Sequence, residues 1–255
     1  MNRKTSWGKV AEWYDDLLEK DPDSYQRQVI LPNLLRLLDV HKGDTIVDLA
    51  CGQGFFTRAF FQPGVRVIGI DLAAELIALA KKNSPKEIQY IVSSADQVLD
   101  IKNNSVDKVT IVLALQNIEN INGVLQECRR ILKPHGALLL VLNHSAFRVL
   151  KESSWGWDEQ QKIQYRRIDR YLSESKVKIQ MHPSTSSGRD PGEYTISFHR
   201  PLQFYFKALH KQGFAVTRLE EWGSHRKSES GPRAAAEDRA RKEIPLFLFL
   251  EAVSV

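Results

Sequence analysis

Two cysteines in 255 residues, Cys51 and Cys128, are too few for a disulfide framework or a zinc cluster of thiolates. Long apolar runs are missing as well. None approaches the roughly 20 residues that span a bilayer, and the opening "MNRKTSWGKVAEWYDD" has no apolar core of the kind a signal peptide needs. These absences predict a soluble, cytoplasmic protein with no membrane partner. No two histidines share metal-ligand spacing such as i, i+4, so no metal site is expected. A cationic stripe is absent too. The formal charge is +5, but Arg218, Arg226, Lys227, Arg233, Arg239, Arg241 and Lys242 are nearly matched by Glu220, Glu221, Glu229, Glu237, Asp238 and Glu243. That is a mixed solvated surface, and it argues against nucleic acid as a partner.

What is present is a regular alternation. From Thr45 to Val141 apolar runs alternate with helical patterns, the signature of βα units and a parallel sheet. "TIVDLA", "VRVIGID", "IQYIVSS", "VDKVTIVLAL" and "ALLLVLNH" read as strands. "FFTRAFF", "AAELIALAKKN" (with Asn83 as its stop) and "INGVLQECRRILKPHG" read as the helices between them, the last ended by a Lys-Pro-His-Gly turn. Beyond Ser145 the pattern changes. "WGWDEQQKIQYRRIDRYL" looks helical, and "KVKIQMH" and "EYTISFH" are alternating segments joined by the turn "PSTSSGRDPG". "PLQFYFKALHKQG" is a helix with Pro in its first turn and Gly after its end. "FAVTRLEEW" and "IPLFLFLEAVSV" are strands around a segment, 223–243, expected to be a mobile surface stretch. The expected architecture is one α/β domain. It is a Rossmann-like, seven-stranded, mostly parallel sheet with an antiparallel last strand and helices on both faces. An N-terminal helical arm (1–44) precedes the core (45–144), an inserted cap (145–200) follows it, and a C-terminal helix and strands (201–255) complete the sheet.

The turn after the first strand, "VDLACGQGFFTRAF", lacks two things that a phosphate-binding loop needs. Gly52-Gln53-Gly54 is not followed by the third glycine of a dinucleotide fold, and no Gly-Lys-Ser/Thr ending marks a P-loop. Carboxylates stand nearby instead: Asp48 at the end of the first strand, Asp71 at the end of the second, and Asp96 after the third. They could simply cap loops. Strand-end carboxylates of an open α/β sheet nevertheless face its ligand crevice, and Asp71 is placed to accept ribose hydroxyls. Acidic groups around one site repel a pyrophosphate and suit a ligand with a cationic centre, an amino group and an unphosphorylated ribose. S-adenosylmethionine (SAM) has all three.

The same residues carry a family resemblance. "VDLACGQG" is similar to the first motif of class I SAM-dependent methyltransferases, written D-x-G-x-G-x-G, and "VIGIDLAAELIALAKK" to their second. "SSADQ" resembles their adenine-contacting segment, and "ECRRILKPHGALLLVLNH" the approach to their fifth strand. The likeness is to the type 11 group and is strong over Thr45–His144. It implies that the backbone at Ala50, Gly52 and Gly54 passes under the methionine part of SAM, with Asp48 ordering the loop. Asp71 would bind the ribose hydroxyls, with Leu72 packing on the adenine. Asp96 and the Ala95 backbone would hold the adenine amino group, and Leu113 would lie beneath the cofactor. Tyr14 and Tyr25 of the arm would cover it. Ala50 replaces the motif's first glycine, which demands that this backbone avoid positive φ.

The resemblance implies methyl transfer from SAM to an O, N or C atom of a small molecule, with S-adenosylhomocysteine as product. Alternatives are an RNA or protein methyltransferase and a non-catalytic SAM-binding protein; a nicotinamide oxidoreductase is the weakest contender. A base is needed only for an acceptor that arrives protonated. His144, ending a central strand, is the first candidate and His199 the second. Asn117, Asn143, Trp155, Tyr165 and Arg166 are candidate substrate contacts, and Arg200 could grip an acidic acceptor. His182 is a further polar group of the cap. The oligomeric state is not legible.

Overall fold

The structure, a computed structural model, describes residues 6–181 and 193–255. In chain order its strands are β1 (Thr45–Leu49), β2 (Arg66–Asp71), β3 (Gln89–Val92), β4 (Val106–Val112), β5 (Leu132–Asn143), β6 (Ser153–Asp158), β7 (Ile163–Ile168), β8 (Ser175–Gln180), β9 (Tyr194–His199), β10 (Phe214–Trp222) and β11 (Phe247–Ser254). The helices are α1 (Ser6–Lys9), α2 (Ala11–Lys20), α3 (Leu31–Leu38), α4 (Phe55–Phe60), α5 (Ala74–Lys82), α6 (Ile121–Ile131), α7 (Leu202–Lys211) and α8 (Ala234–Glu243). A π-helical turn, Gln26–Ile30, leads into α3, and a short 3₁₀ turn, Leu115–Asn117, follows β4.

Seven strands form one sheet in the order β10-β11-β5-β4-β1-β2-β3. β1 pairs in parallel with β2 on one side and β4 on the other. The chain therefore reverses its progress across the sheet at β1, which opens a crevice at the carboxyl ends of β1 and β4, the place where such sheets bind ligands. β11 runs antiparallel to both β5 and β10, as expected for the last strand.

Strand periodicity divides the core into two layers. Leu138, Leu140 and Leu142 of β5 and Leu248, Leu250 and Ala252 of β11 face α6 and α7, packing with Val124, Leu125, Cys128 and Leu209. The alternate residues Leu139, Val141, Phe247 and Phe249 face the other layer with Leu34 and Leu38 of α3 and Phe56 and Phe60 of α4. Helices thus cover both faces of the sheet, which explains why its central strands read as continuous apolar runs.

Three expectations from the sequence are corrected. Residues 155–172 do not form a helix: β6 and β7 pair antiparallel, Trp155 opposite Arg166 and Gly156 opposite Tyr165. Asp158 turns the chain by accepting the Gln160 and Gln161 backbone N–H groups (2.9 and 2.8 Å), and Gly156 leaves room for the Tyr165 ring, which a Cβ would meet at 2.3 Å. Segment 223–243 ends in α8, whose Ala, Glu, Arg and Lys content favours helix without an apolar stripe. Lys133–Gly136 does not end α6 but bulges within β5, where pairing with β4 jumps from Val106↔Leu132 to Lys108↔Ala137. The Lys133 ammonium is pinned there on Asp107 at 2.7 Å. β8 and β9 pair antiparallel as a hairpin should; its turn, 183–192, and His182 lie outside the described residues.

Candidate functional site: an acidic cavity at the switch point

The turn after β1 is built from left-handed backbone. Ala50, Gly52 and Gly54 have φ of 56°, 59° and 84°. The expectation that Ala50 avoids positive φ is therefore wrong. The chain must leave the buried strand abruptly, and the left-handed region does this at a cost of roughly 1–2 kcal/mol for a residue with a Cβ. The turn is over-determined by its bonds, with Cys51 N–H donating to Ile70 O (3.0 Å) and Gly54 N–H to Cys51 O (3.1 Å). Gly54 is also required by packing, since a Cβ there would lie 2.5 Å from the Tyr90 hydroxyl. It shapes the turn and precedes α4, but does not line the cavity beside it.

Asp71, at the carboxyl end of β2, accepts the Gly52 N–H (2.9 Å) and the Ala73 N–H (2.8 Å) and so ties the turn to the second strand. Burial raises its pKa against these hydrogen bonds. Asp48 lies deeper, 1% exposed, and accepts the hydroxyls of Thr57 (2.6 Å) and Thr110 (2.9 Å). Burial pushes its pKa up to about 6, with the nearby Asp71 charge adding to the rise. Asp96 accepts the Ser94 hydroxyl and, at 2.8 Å, the Asn120 side-chain amide. The same Asn120 caps α6 by accepting the Gly123 N–H.

Asp71 and Asp96, but not the deeper Asp48, border a cavity of about 470 Å³. Ala50, Gly52, Asp71, Leu72, Ala95, Asp96, Leu113, Asn117 and Tyr14 line it, as the sequence leads one to expect. Trp7, Ser93, Ile118, Glu119 and Asn120 line it as well and were not anticipated. Its wall carries Asp71, Asp96 and Glu119 but no Lys, Arg or His among the described residues. Tyr14 is held edge-on by Trp7, ring centroids 5.3 Å apart, over the turn. Burial first, and Asp71 second, push its phenol up to about 12, so it stays a neutral donor. Leu113 is the second non-glycine wall residue with left-handed backbone (φ 53°), held by its N–H on Val141 O at 2.8 Å.

Other candidates stand elsewhere. Tyr25 bonds Ser224 (3.1 Å) and packs on His225 and Phe247. His144 is buried; its Nδ1 accepts the Ala146 and Phe147 N–H groups, which places the proton on Nε2, facing Glu221 at 2.6 Å. Neither nitrogen is left to take a proton from an acceptor. His199 Nε2 faces the Tyr171 carbonyl at 2.8 Å. Asn143 accepts from Arg148 (2.8 Å), and Arg166 lies over Trp155 while donating to Phe147 O (3.0 Å). Tyr165 is exposed on the β6–β7 hairpin. None of these lines the cavity. Arg200 is buried and donates to the carbonyls of Ile118 and Glu119 (3.1 Å each), bracing the cavity wall rather than facing a ligand.

Residues 47–140 match the family described as "Methyltransferase domain". A S-adenosylmethionine dependent methyltransferase from Mesorhizobium loti superposes with a TM-score of 0.68 at 25% identity, covering 87% of this chain and 96% of that one. Over residues 47–140 this core is similar to a methyltransferase domain. A malonyl-[acyl-carrier protein] O-methyltransferase of Pectobacterium atrosepticum is 29% identical to the chain over 178 residues, 70% of this chain and 66% of its own length. A ubiquinone biosynthesis O-methyltransferase of Xanthomonas oryzae is 30% identical over 129 residues, 47% of this chain and 54% of that protein. The chain spans 54–66% of the length of these curated relatives. The methyltransferase domain supplies most of the cavity wall, while Trp7 and Tyr14 are added from the arm. Among the described residues no helix is long and apolar enough to cross a membrane.

Proposed function

We propose that the protein transfers a methyl group from SAM to a small-molecule acceptor, as a soluble cytoplasmic enzyme. The observation that carries this reading is the wall of the cavity: carboxylates and backbone with no cationic side chain among the described residues, at the switch point of the sheet. Such a wall disfavours phosphate and favours a cation. The residues fit SAM. Asp71 would hold the ribose hydroxyls, Leu72 would pack on the adenine, and Asp96 with the Ala95 backbone would hold the adenine amino group. Backbone at Ala50 and Gly52 would pass under the methionine part. Bound there, SAM supplies an electrophilic methyl on a positively charged sulfur.

The chain's own contribution is alignment and exclusion of water. Among the described residues the cavity wall offers no histidine, lysine or cysteine to remove a proton. The reading therefore favours an acceptor that arrives nucleophilic, such as a neutral amine, or one whose proton the Glu119 carboxylate takes. An ionised oxygen is in keeping with the O-methyltransferase names of the relatives. The division into arm, core, cap at 145–200 and C-terminal part belongs to the same proposal, with the cap helping to choose the acceptor.

Calorimetry with S-adenosylhomocysteine tests the cofactor. The wild type should bind with a Kd in the micromolar range or tighter, roughly −8 kcal/mol or better. Asp71→Ala should weaken binding about 100-fold or more, because hydrogen bonds to a charged group contribute about 1.5–3 kcal/mol each. A wild type that binds neither S-adenosylhomocysteine nor SAM would end this reading. Transfer of a labelled methyl from SAM to a panel of carboxylic acids, amines and phenols then identifies the acceptor class.

A further inference from the structure

Outside the cavity, the chain that leaves β5 brings two guanidinium groups together. Arg166, on β7, donates its Nε–H to Phe147 O (3.0 Å), the carbonyl of the residue before Arg148, and its Nη2–H to Ser153 Oγ (2.7 Å). Arg148 donates its Nη1–H to Asn143 Oδ1 at 2.8 Å, on the last residue of β5. Each is also seated on an aromatic ring, Arg166 over Trp155 at 5.2 Å and Arg148 over Phe247 at 6.0 Å. Both planar forks are thus held by the protein before any ligand arrives.

Like charges held together call for an anion, and among the described residues no carboxylate pairs with either arginine. The acidic groups close to them in the chain and at the β5 end are engaged elsewhere: Asp169 with Arg167 (2.9 Å), Glu152 with Arg170 (3.8 Å) and Glu221 with His144 (2.6 Å). The protein packed around the Arg148 guanidinium first, and the Arg166 charge second, pull its pKa down, although the side chain keeps an open face to solvent. Arg166 is half-buried beside it. The Nε and Nη2 groups of Arg148 and the Nη1 group of Arg166 donate to no described residue. Both arginines therefore keep donors to offer.

We propose that Arg148 and Arg166 form a binding site for a phosphate group, free or as a monoester. Two guanidinium forks match a tetrahedral oxyanion that carries about −1.5 to −2 charges near pH 7, whereas one carboxylate balances only one of them. Neither arginine lines the cavity, so the site is separate from the acidic one, and the inference does not rest on the methyl-transfer reading. Phe247 carries both Arg148 and Tyr25 on its ring. A phosphate bound here would join the β6–β7 hairpin to the end of β5 and, through Phe247, to the arm.

The test is calorimetric titration of the full chain with inorganic phosphate at pH 7.5 and constant ionic strength. The wild type should bind with a Kd of about 1 mM or tighter. Arg148→Gln and Arg166→Gln should each weaken binding about tenfold or more, since charge-assisted hydrogen bonds are lost. Arg167→Gln, on the other face of β7 and paired with Asp169, should leave it unchanged. Arg148→Lys and Arg166→Lys keep the charge without the fork and should weaken it about threefold or more; they carry the test if a glutamine variant does not fold. Acetate should bind at least about tenfold more weakly than phosphate. Phenyl phosphate separates the two sources: binding at least as tight as that of free phosphate assigns the site to monoesters, and weaker binding assigns it to the free ion. No phosphate binding by the wild type, binding retained in both the Arg148 and Arg166 variants, an equal loss in Arg167→Gln, or acetate bound as tightly as phosphate would overturn the inference.

Discussion

Asp48 holds a charge where charge is expensive, and Asp48→Asn should show how expensive. The carboxyl is 1% exposed, so solvent screening is small. Its pKa is pushed up to about 6, chiefly by burial, and the Thr57 and Thr110 hydroxyls only partly offset that rise. Because the folded-state pKa lies above the unfolded value, the stability that this group contributes is fully present below the unfolded pKa. It is lost as the pH rises through about 6. A shift of about two pH units corresponds to about 3 kcal/mol at neutral pH. Asparagine is nearly isosteric and removes the titration, and both threonine hydroxyls can turn to donate or accept. Urea midpoints measured between pH 4 and 8, with the slope m checked for constancy, should show Asp48→Asn gaining on the wild type as pH rises, by about 3 kcal/mol across the range. A difference between the two proteins that stays flat with pH, or slopes the other way, would refute the placement of an ionisable Asp48 in this buried setting.

Ala50→Gly should stabilise the fold. Relief of left-handed strain, about 1–2 kcal/mol, exceeds the added freedom of glycine in the unfolded chain, about 0.4–1 kcal/mol. The melting temperature should rise by roughly 2–4 °C per kcal/mol gained, and a lower one would show that the strain is not there. His144→Ala should lower stability by roughly 2–3 kcal/mol, through lost buried hydrogen bonds between the end of β5 and Glu221 on β10. S-adenosylhomocysteine affinity should not change. Weakened binding at unchanged stability would return His144 to the site.

The sheet was legible because burial on both faces leaves an apolar run in every central strand, and a glycine turn with a carboxylate punctuates it. The acidic wall of the cavity was legible for the same reason: Asp71 ends β2 and Asp96 follows β3, where the sequence itself marks the position. Other features depend on tertiary packing. The β6–β7 hairpin carries Trp155, Trp157, Tyr165 and Arg166 at spacings that also suit a helix, and only the Gly156–Tyr165 fit and the Asp158 turn decide for strands. His144 ends a strand at the right edge of the sheet, but the backbone of Ala146 and Phe147 folds back onto its ring, a local loop with no advance signal. Asn120 could have been found as an asparagine just before a helix. Its second bond, to Asp96, could not. Trp7 reaches the site because the arm lies against α5, and no spacing in the core records that contact.

The arrangement of these long-range contacts bears on how the acceptor is chosen. The wall loop that holds Asn117, Ile118 and Glu119 is braced from outside the sheet: Arg200 holds its carbonyls, and Lys176 of β8 pairs with Glu119 at 3.1 Å. On another edge, Lys9 of α1 reaches Glu193, just before β9, at 3.0 Å. The β8–β9 hairpin is thus tied both to the acidic wall of the cavity and to the arm that carries Trp7 and Tyr14. The β6–β7 hairpin packs on α8, with Arg233 meeting Glu159 at 2.9 Å and lying over Trp157. If the protein methylates a small acceptor as proposed, selection of that acceptor would fall to β8–β9 and the loop after β4 rather than to the tryptophan-bearing hairpin. Exchanging Trp155 for Ala should leave the acceptor preference unchanged, whereas Lys176→Glu, which sets like charges against each other at the wall, should change it. Measuring relative methyl transfer to anionic and neutral acceptors separates the two, and a preference that follows Trp155 instead would reverse the assignment.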